Sequence, residues 1–144
     1  MQTTYTVSCD KTRLDLGFIH HYLSTKAYWC LDISLETVRR SIEHSLCFGV
    51  FHGQEQVGFG RVITDYATIA YLGDVFVVAE HRGKGLSKEL IRTIMAHPDL
   101  QGLRRWILLT RDAHGLYEQF GWSVVEHPER YMEVVNSNVY TRSV

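Results

Sequence analysis

Proline is nearly missing from this chain: among 144 residues only Pro98 and Pro128 occur. No proline-rich or low-complexity stretch divides it, so no linker is evident and one domain over residues 1–144 is predicted. Cysteine is also scarce. Cys9, Cys30 and Cys47 are odd in number and lack any CxxC spacing, which argues against a disulfide framework and against a zinc site. No apolar run is long enough to span a bilayer, and the first five residues carry no signal-like apolar stretch. An excess of one charge is lacking too: 15 Lys and Arg face 16 Asp and Glu, a net charge of −1. That balance excludes a broad attraction to nucleic acid or to an anionic membrane surface. The expectation is a reduced, cytoplasmic setting, no metal, and neither nucleic acid nor membrane as partner.

What is present is an ordinary globular composition, 45% hydrophobic and 22% charged, enough for a real core. Residues 4–8 alternate weakly, as a first strand would. Leu14, Phe18 and Tyr22 recur at helical spacing and predict a helix over 13–23. Ser34 is placed to cap a second helix with Leu35, Val38 and Ile42 on one face. Residues 46–51 and 56–63 read as a hairpin around His52, Gly53 and Gln54. A turn at Asp65 and Tyr66 leads to a long strand over 69–78. Leu86, Leu90, Ile91, Ile94 and Met95 mark the next helix, which should stop near His97 because Pro98 disfavours helical geometry before it. Residues 105–109 form a strand and 112–120 a short helix closed by Gly121. Two closing strands are predicted over 122–125 and 131–135. Hairpins, then a strand–helix–strand unit, then a short helix predict an α+β, or mixed α/β, domain.

The most informative stretch is Arg82, Gly83, Lys84, Gly85, Leu86 and Ser87, between a strand and a helix. Such a turn leaves backbone N–H groups unpaired at the positive end of a helix dipole, which makes an anion site. A Walker A loop does not fit, because Val78 stands at its first glycine and Gly85 where Ser or Thr would hold magnesium. A dinucleotide fingerprint does not fit either, because Lys88 occupies its third, small position.

Arg82-x-x-Gly85-x-Ser87 resembles the R/Q-x-x-G-x-G/A loop of the GNAT superfamily of acyl-CoA-dependent N-acetyltransferases. The downstream run of Thr110, Ala113, Tyr117, Phe120, Gly121 and Trp122 resembles that family's second motif, commonly N-x-x-A-x-x-x-Y-x-x-x-G-F. The likeness extends over about residues 4–135. Ser87 stands where Gly or Ala is usual, and Thr110 where Asn is common. The resemblance implies a central, mostly antiparallel sheet with a splayed strand pair, flanked by helices. It also implies acetyl-CoA as co-substrate. The turn from Arg82 to Ser87 would then hold the pyrophosphate, and Phe76, Val77 and Val78 would offer backbone contacts to the pantetheine arm. Thr110 would stand near the cofactor. Tyr117 would protonate the leaving thiolate during direct attack by a primary amine in a ternary complex.

The attacking amine must be neutral, so a proton needs a way out. Asp74, two residues from Phe76 on the same strand, is either that base or an ordinary hydrogen-bonding group where the strands splay. Tyr28, Trp29 and Tyr71 are candidates for the acceptor pocket, although large aromatics more often fill cores. A small-molecule amine is the first expected acceptor, a protein amine the second, and a homodimer is possible. The competing reading is a non-catalytic acyl-CoA-binding regulatory module.

Overall fold

Residues 4–140 are described by the computed structural model. The chain opens with β1 (Tyr5–Ser8), then a 3-10 turn over Lys11–Arg13 and helix α1 (Leu16–Thr25). Asp10 caps the turn by accepting from the Thr12 N–H, and Asp15 caps α1 by accepting from the Phe18 N–H. Those two aspartates move the first helix to a later start than the apolar spacing predicts, because each favours non-helical geometry at its own position. Helix α2 (Leu35–Glu43) starts where expected, with Ser34 accepting from the Thr37 N–H. Strands β2 (Leu46–His52), β3 (Glu55–Thr64) and β4 (Ile69–Val77) follow, then α3 (Leu86–Met95), β5 (Arg105–Leu108) and α4 (His114–Glu118). Helix α4 is shorter than the predicted 112–120. The Thr110 hydroxyl accepts from the Ala113 N–H and holds the approach to the helix in a turn.

Among the described residues, five strands form one sheet in the order β1-β2-β3-β4-β5. The first three pairings are antiparallel and β4 with β5 is parallel, so α3 serves as the crossover between them. Helix α3 packs one face of the sheet, burying Leu90, Ile91 and Ile94 against Val50, Val62 and Leu72. Helices α1 and α2 cover the other face, where Ile19, Leu23 and Val38 meet Cys47, Phe59 and Phe76. Burial of each such aliphatic side chain contributes roughly 1.5–3 kcal/mol. With both faces covered, β2 and β3 are buried almost continuously along their lengths.

Two features position the site. Strand β4 pairs with β5 only from Ile69–Arg105 to Leu72–Leu108, and beyond that the two strands part. At the same place β4 carries a bulge. Its register with β3 passes from Phe59–Phe76 to Arg61–Gly73, so β4 holds one residue more than its partner. Ala70 and Leu72 face α3, and after the bulge Val75 and Val77 do so again. Asp74 sits in the bulge with φ 55.

The predicted closing strands over 122–125 and 131–135 do not form. Among the described residues, the only helical or strand element after α4 is a 3-10 turn at Pro128–Arg130. The composition of those segments suits strands, but a strand exists only when a neighbour takes up its backbone groups, and none does so here.

Candidate active site

The glycine turn has the conformation its residues suggest. Gly83 has φ 78 and Gly85 φ 76, left-handed values that glycine adopts without strain. Gly85 stands at the N-cap of α3 and offers no side-chain cap. Among the described residues, the N–H groups of Gly83, Lys84, Gly85, Leu86 and Ser87 meet no backbone acceptor. The space over both glycines is open. Several N–H groups without a backbone acceptor at the N-terminus of a ten-residue helix suit a diphosphate.

Arg82 is turned back from that open face. Its Nε donates to the Val77 carbonyl at 2.8 Å and its Nη2 to the Tyr22 hydroxyl at 3.0 Å. The Tyr22 ring in turn stacks on Phe76, with centroids 3.8 Å apart and planes 7° from parallel. Arg82 therefore ties the turn to the end of β4 and to α1. The Val78 N–H donates to the Val57 carbonyl at 2.9 Å, so this amide is committed to β3. Phe76 has its side chain in the core, which leaves only its backbone to face a ligand.

A cleft of about 720 Å³ lies where β4 and β5 part. It brings together Tyr28, Trp29, Tyr71, Asp74, Thr110 and Tyr117, six residues that the sequence places in widely separated segments. The glycine turn lies outside its lining. Tyr117 is only 8% exposed, and burial pushes its phenol up to about 12. Yet no fully buried side-chain oxygen lacks a partner among the described residues, so the Tyr117 hydroxyl, which makes no hydrogen bond within them, is not fully buried. Tyr117 also walls a second, smaller cavity of about 270 Å³ between β5, α4 and residues 122–125.

Asp74 is engaged from two sides. Its Oδ1 accepts from the Trp29 indole N–H at 2.8 Å and its Oδ2 pairs with Arg61 Nε at 2.8 Å. Arg61 also donates to the Ser45 hydroxyl at 3.0 Å, and Ser45 donates to the Ser41 carbonyl. The network runs from the loop after α1, through β4 and β3, to α2. Burial and the neighbouring Asp74 charge raise the Tyr71 phenol, in that order. Tyr28 meets Trp29 edge to face at 5.0 Å and carries the Arg111 guanidinium 3.8 Å over its ring. Sequence reasoning missed Arg61 and Arg111. Arg61 did leave a signal: a lone cation inside the apolar run of β3 requires a buried partner of opposite charge. Among the described residues, no three or more His, Cys, Asp or Glu side chains gather as a metal site would require.

A sequence profile of the Acetyltransferase (GNAT) family matches residues 16–122. A candidate acetyltransferase of Gibberella zeae is 31% identical over 135 residues, spanning 78% of this chain and 75% of that protein. The crystal structure of a candidate GNAT-family acetyltransferase from Xanthomonas campestris pv. campestris shares 52% identity at a TM-score of 0.94. The match covers 99% of this chain and 100% of that one. Glucosamine-6-phosphate N-acetyltransferase from Arabidopsis thaliana has a TM-score of 0.63 at 17% identity, over 92% of this chain and 97% of that one, a likeness of fold.

Proposed function

This chain belongs to the acetyltransferase (GNAT) family, and from that premise we propose that it moves an acetyl group from acetyl-CoA to a primary amine, a small-molecule amine first, by direct attack in a ternary complex. Bound acetyl-CoA supplies the activated thioester. The chain supplies binding and orientation. The N–H groups from Gly83 to Ser87 hold the diphosphate, with Lys84 adding charge nearby. Arg82 keeps the turn fixed to Val77. The edge of β4 that β5 leaves free, at Phe76 and Val77, aligns the pantetheine arm and offers a backbone donor to the thioester carbonyl.

The observation that carries this reading is Tyr117, which is buried and lines the cleft where β4 and β5 part. A phenol pushed up to about 12 keeps its proton throughout the physiological range. A thiol titrates near 8.5, so full proton transfer from Tyr117 to a departing thiolate runs uphill by about 5 kcal/mol. Tyr117 therefore acts chiefly as a hydrogen-bond donor to the sulfur, and solvent completes the protonation. Tyr28, Trp29 and Tyr71 wall the acceptor side, with Asp74 and Arg61 fixing Trp29 in place. We place the reaction in the cytoplasm, in keeping with free thiols at Cys9, Cys30 and Cys47.

The test is a panel of primary amines, peptide N-termini included, assayed for release of the CoA thiol, with CoA binding measured in parallel by calorimetry. Thiol release that depends on the amine supports the proposal. Tight CoA binding without release across the panel identifies a binding module instead, and absence of CoA binding overturns the reading altogether.

A further inference from the structure

Four charged side chains line the cleft where β4 and β5 part: Arg61, Asp74, Arg111 and Asp112. Arg61 and Asp74 neutralise each other at 2.8 Å. Arg111 and Asp112 are neighbours in the chain, yet neither joins an ion pair among the described residues. The Arg111 guanidinium carbon lies 3.8 Å from the centre of the Tyr28 ring. Stacking of this kind occupies one face of a guanidinium and leaves its N–H edge for a planar partner with two oxygens. We propose that Arg111 determines acceptor specificity, and that the acceptor is an amine carrying a carboxylate, an amino acid by class. The inference rests on the acetyl-transfer reading above and names the acceptor within it.

Arg111 is held by a line of contacts that crosses several segments. Arg61 on β3 pairs with Asp74 in the β4 bulge, and Asp74 accepts from the Trp29 indole N–H at 2.8 Å. Trp29 meets Tyr28 edge to face, and Tyr28 carries Arg111. A free arginine side chain loses much rotamer freedom when it binds an anion, and a ring that fixes its plane beforehand removes part of that loss. The largely buried ion pair thus anchors the platform on which Arg111 lies. Tyr28 and Trp29 also line the cleft while keeping 45% of their surface exposed, enough apolar face to cover the carbon frame of a ligand. Charge separates this class of acceptor from its rivals. A polyamine needs free carboxylates for its further cations, and Asp74 is committed to Arg61 and Trp29. A phosphate monoester brings nearly two negative charges at neutral pH, which a single guanidinium beside Asp112 does not balance. A carboxylate brings one charge, which Arg111 matches in sign and in shape.

The test uses glycine, leucine and phenylalanine, each beside its carboxamide, and phosphoethanolamine beside ethanolamine. Release of the CoA thiol from acetyl-CoA gives kcat/KM for each. Wild type is expected to favour the acid over the amide about tenfold or more in at least one pair, through KM. Acid and amide differ also in amine basicity, so the change of their ratio on substitution is the decisive reading. Arg111→Gln is expected to lower the ratio about tenfold, and Arg111→Lys to keep part of it, because an ammonium retains the charge without the fork. Tyr28→Phe keeps the platform and should keep the ratio, whereas Tyr28→Leu should lower it. Arg104→Gln, at an exposed cation outside the cleft, should leave the ratio as in wild type. Arg111 is itself exposed, so its variants are expected to fold, and an unchanged melt and CoA affinity verify this. A wild type that favours none of the acids overturns the assignment, as does a ratio that survives Arg111→Gln or a larger gain from phosphate than from carboxylate. Those results leave acetyl transfer standing. Tight CoA binding without thiol release from any amine removes the acetyl-transfer reading itself, and this inference with it.

Discussion

Tyr117 and Asp74 occupy one cleft, but they differ in what they are free to do. Tyr117 offers an uncommitted hydroxyl, and because burial holds its phenol near 12, it does not titrate below pH 10. Tyr117→Phe is expected to lower kcat about 100-fold while calorimetric CoA affinity stays the same. The pH profile should keep its shape, rising as the amine loses its proton, with no alkaline fall owed to Tyr117. A profile that gains or loses a limb in the variant would show Tyr117 to be a titrating acid. Asp74 has both oxygens engaged, by Trp29 and by Arg61. Asp74→Asn is expected to raise KM for the amine several-fold and to destabilise the fold by about 3 kcal/mol, because Arg61 is left partly buried without a counter-charge. Loss of the acidic limb in kcat would instead make Asp74 the base. The residues drawn from the glycine motif and the tyrosine motif were legible because spacing and residue type carry them. Arg61, Arg111 and Tyr22 were not, since each matters through a partner 13 to 83 residues away that no local pattern reveals.

At the scale of elements, local chemistry carried most of the reading. Ser34 as a cap, the glycine turn, and the stop before Pro98 each act within a few residues, and each is found where the sequence puts it. Pairing was less legible. The β4 bulge adds a residue that only the register against β3 exposes, and residues 131–135 look like a strand without having a neighbour. The turn yields its own prediction. Gly85→Ala places a Cβ at φ 76, which costs roughly 1–2 kcal/mol. The melting temperature should fall by a few degrees and CoA affinity should weaken, with kcat at saturation less affected. Unchanged CoA affinity would remove the turn as the diphosphate site.

At the scale of the whole molecule, three buried groups among the described residues are held in their protonated forms. Burial raises Cys30 from 9.0 to about 12, Cys47 from 9.0 to about 11 and Tyr117 from 10.0 to about 12. Each folded value lies above the unfolded one, so the stability they contribute is complete below pH 9. It is lost as pH rises from about 9 through 12, because the unfolded chain releases protons that the folded chain retains. Thermal unfolding at pH 8, 9, 10 and 11 should show a flat melting temperature to about pH 9 and then a fall on the order of 10 °C. Cys30→Ala should soften that fall. A different whole-molecule consequence follows from Arg82, which clamps the Val77 carbonyl while its own backbone closes the 3-10 turn at Ala79–His81. The spacing between the orphan amides and the free strand edge is thereby set in advance, like two marks cut on one ruler. On the proposed function, a carrier would be selected by length as well as by charge: a thioester on a shorter arm, with the same phosphates seated in the same turn, would fall short of the tyrosine.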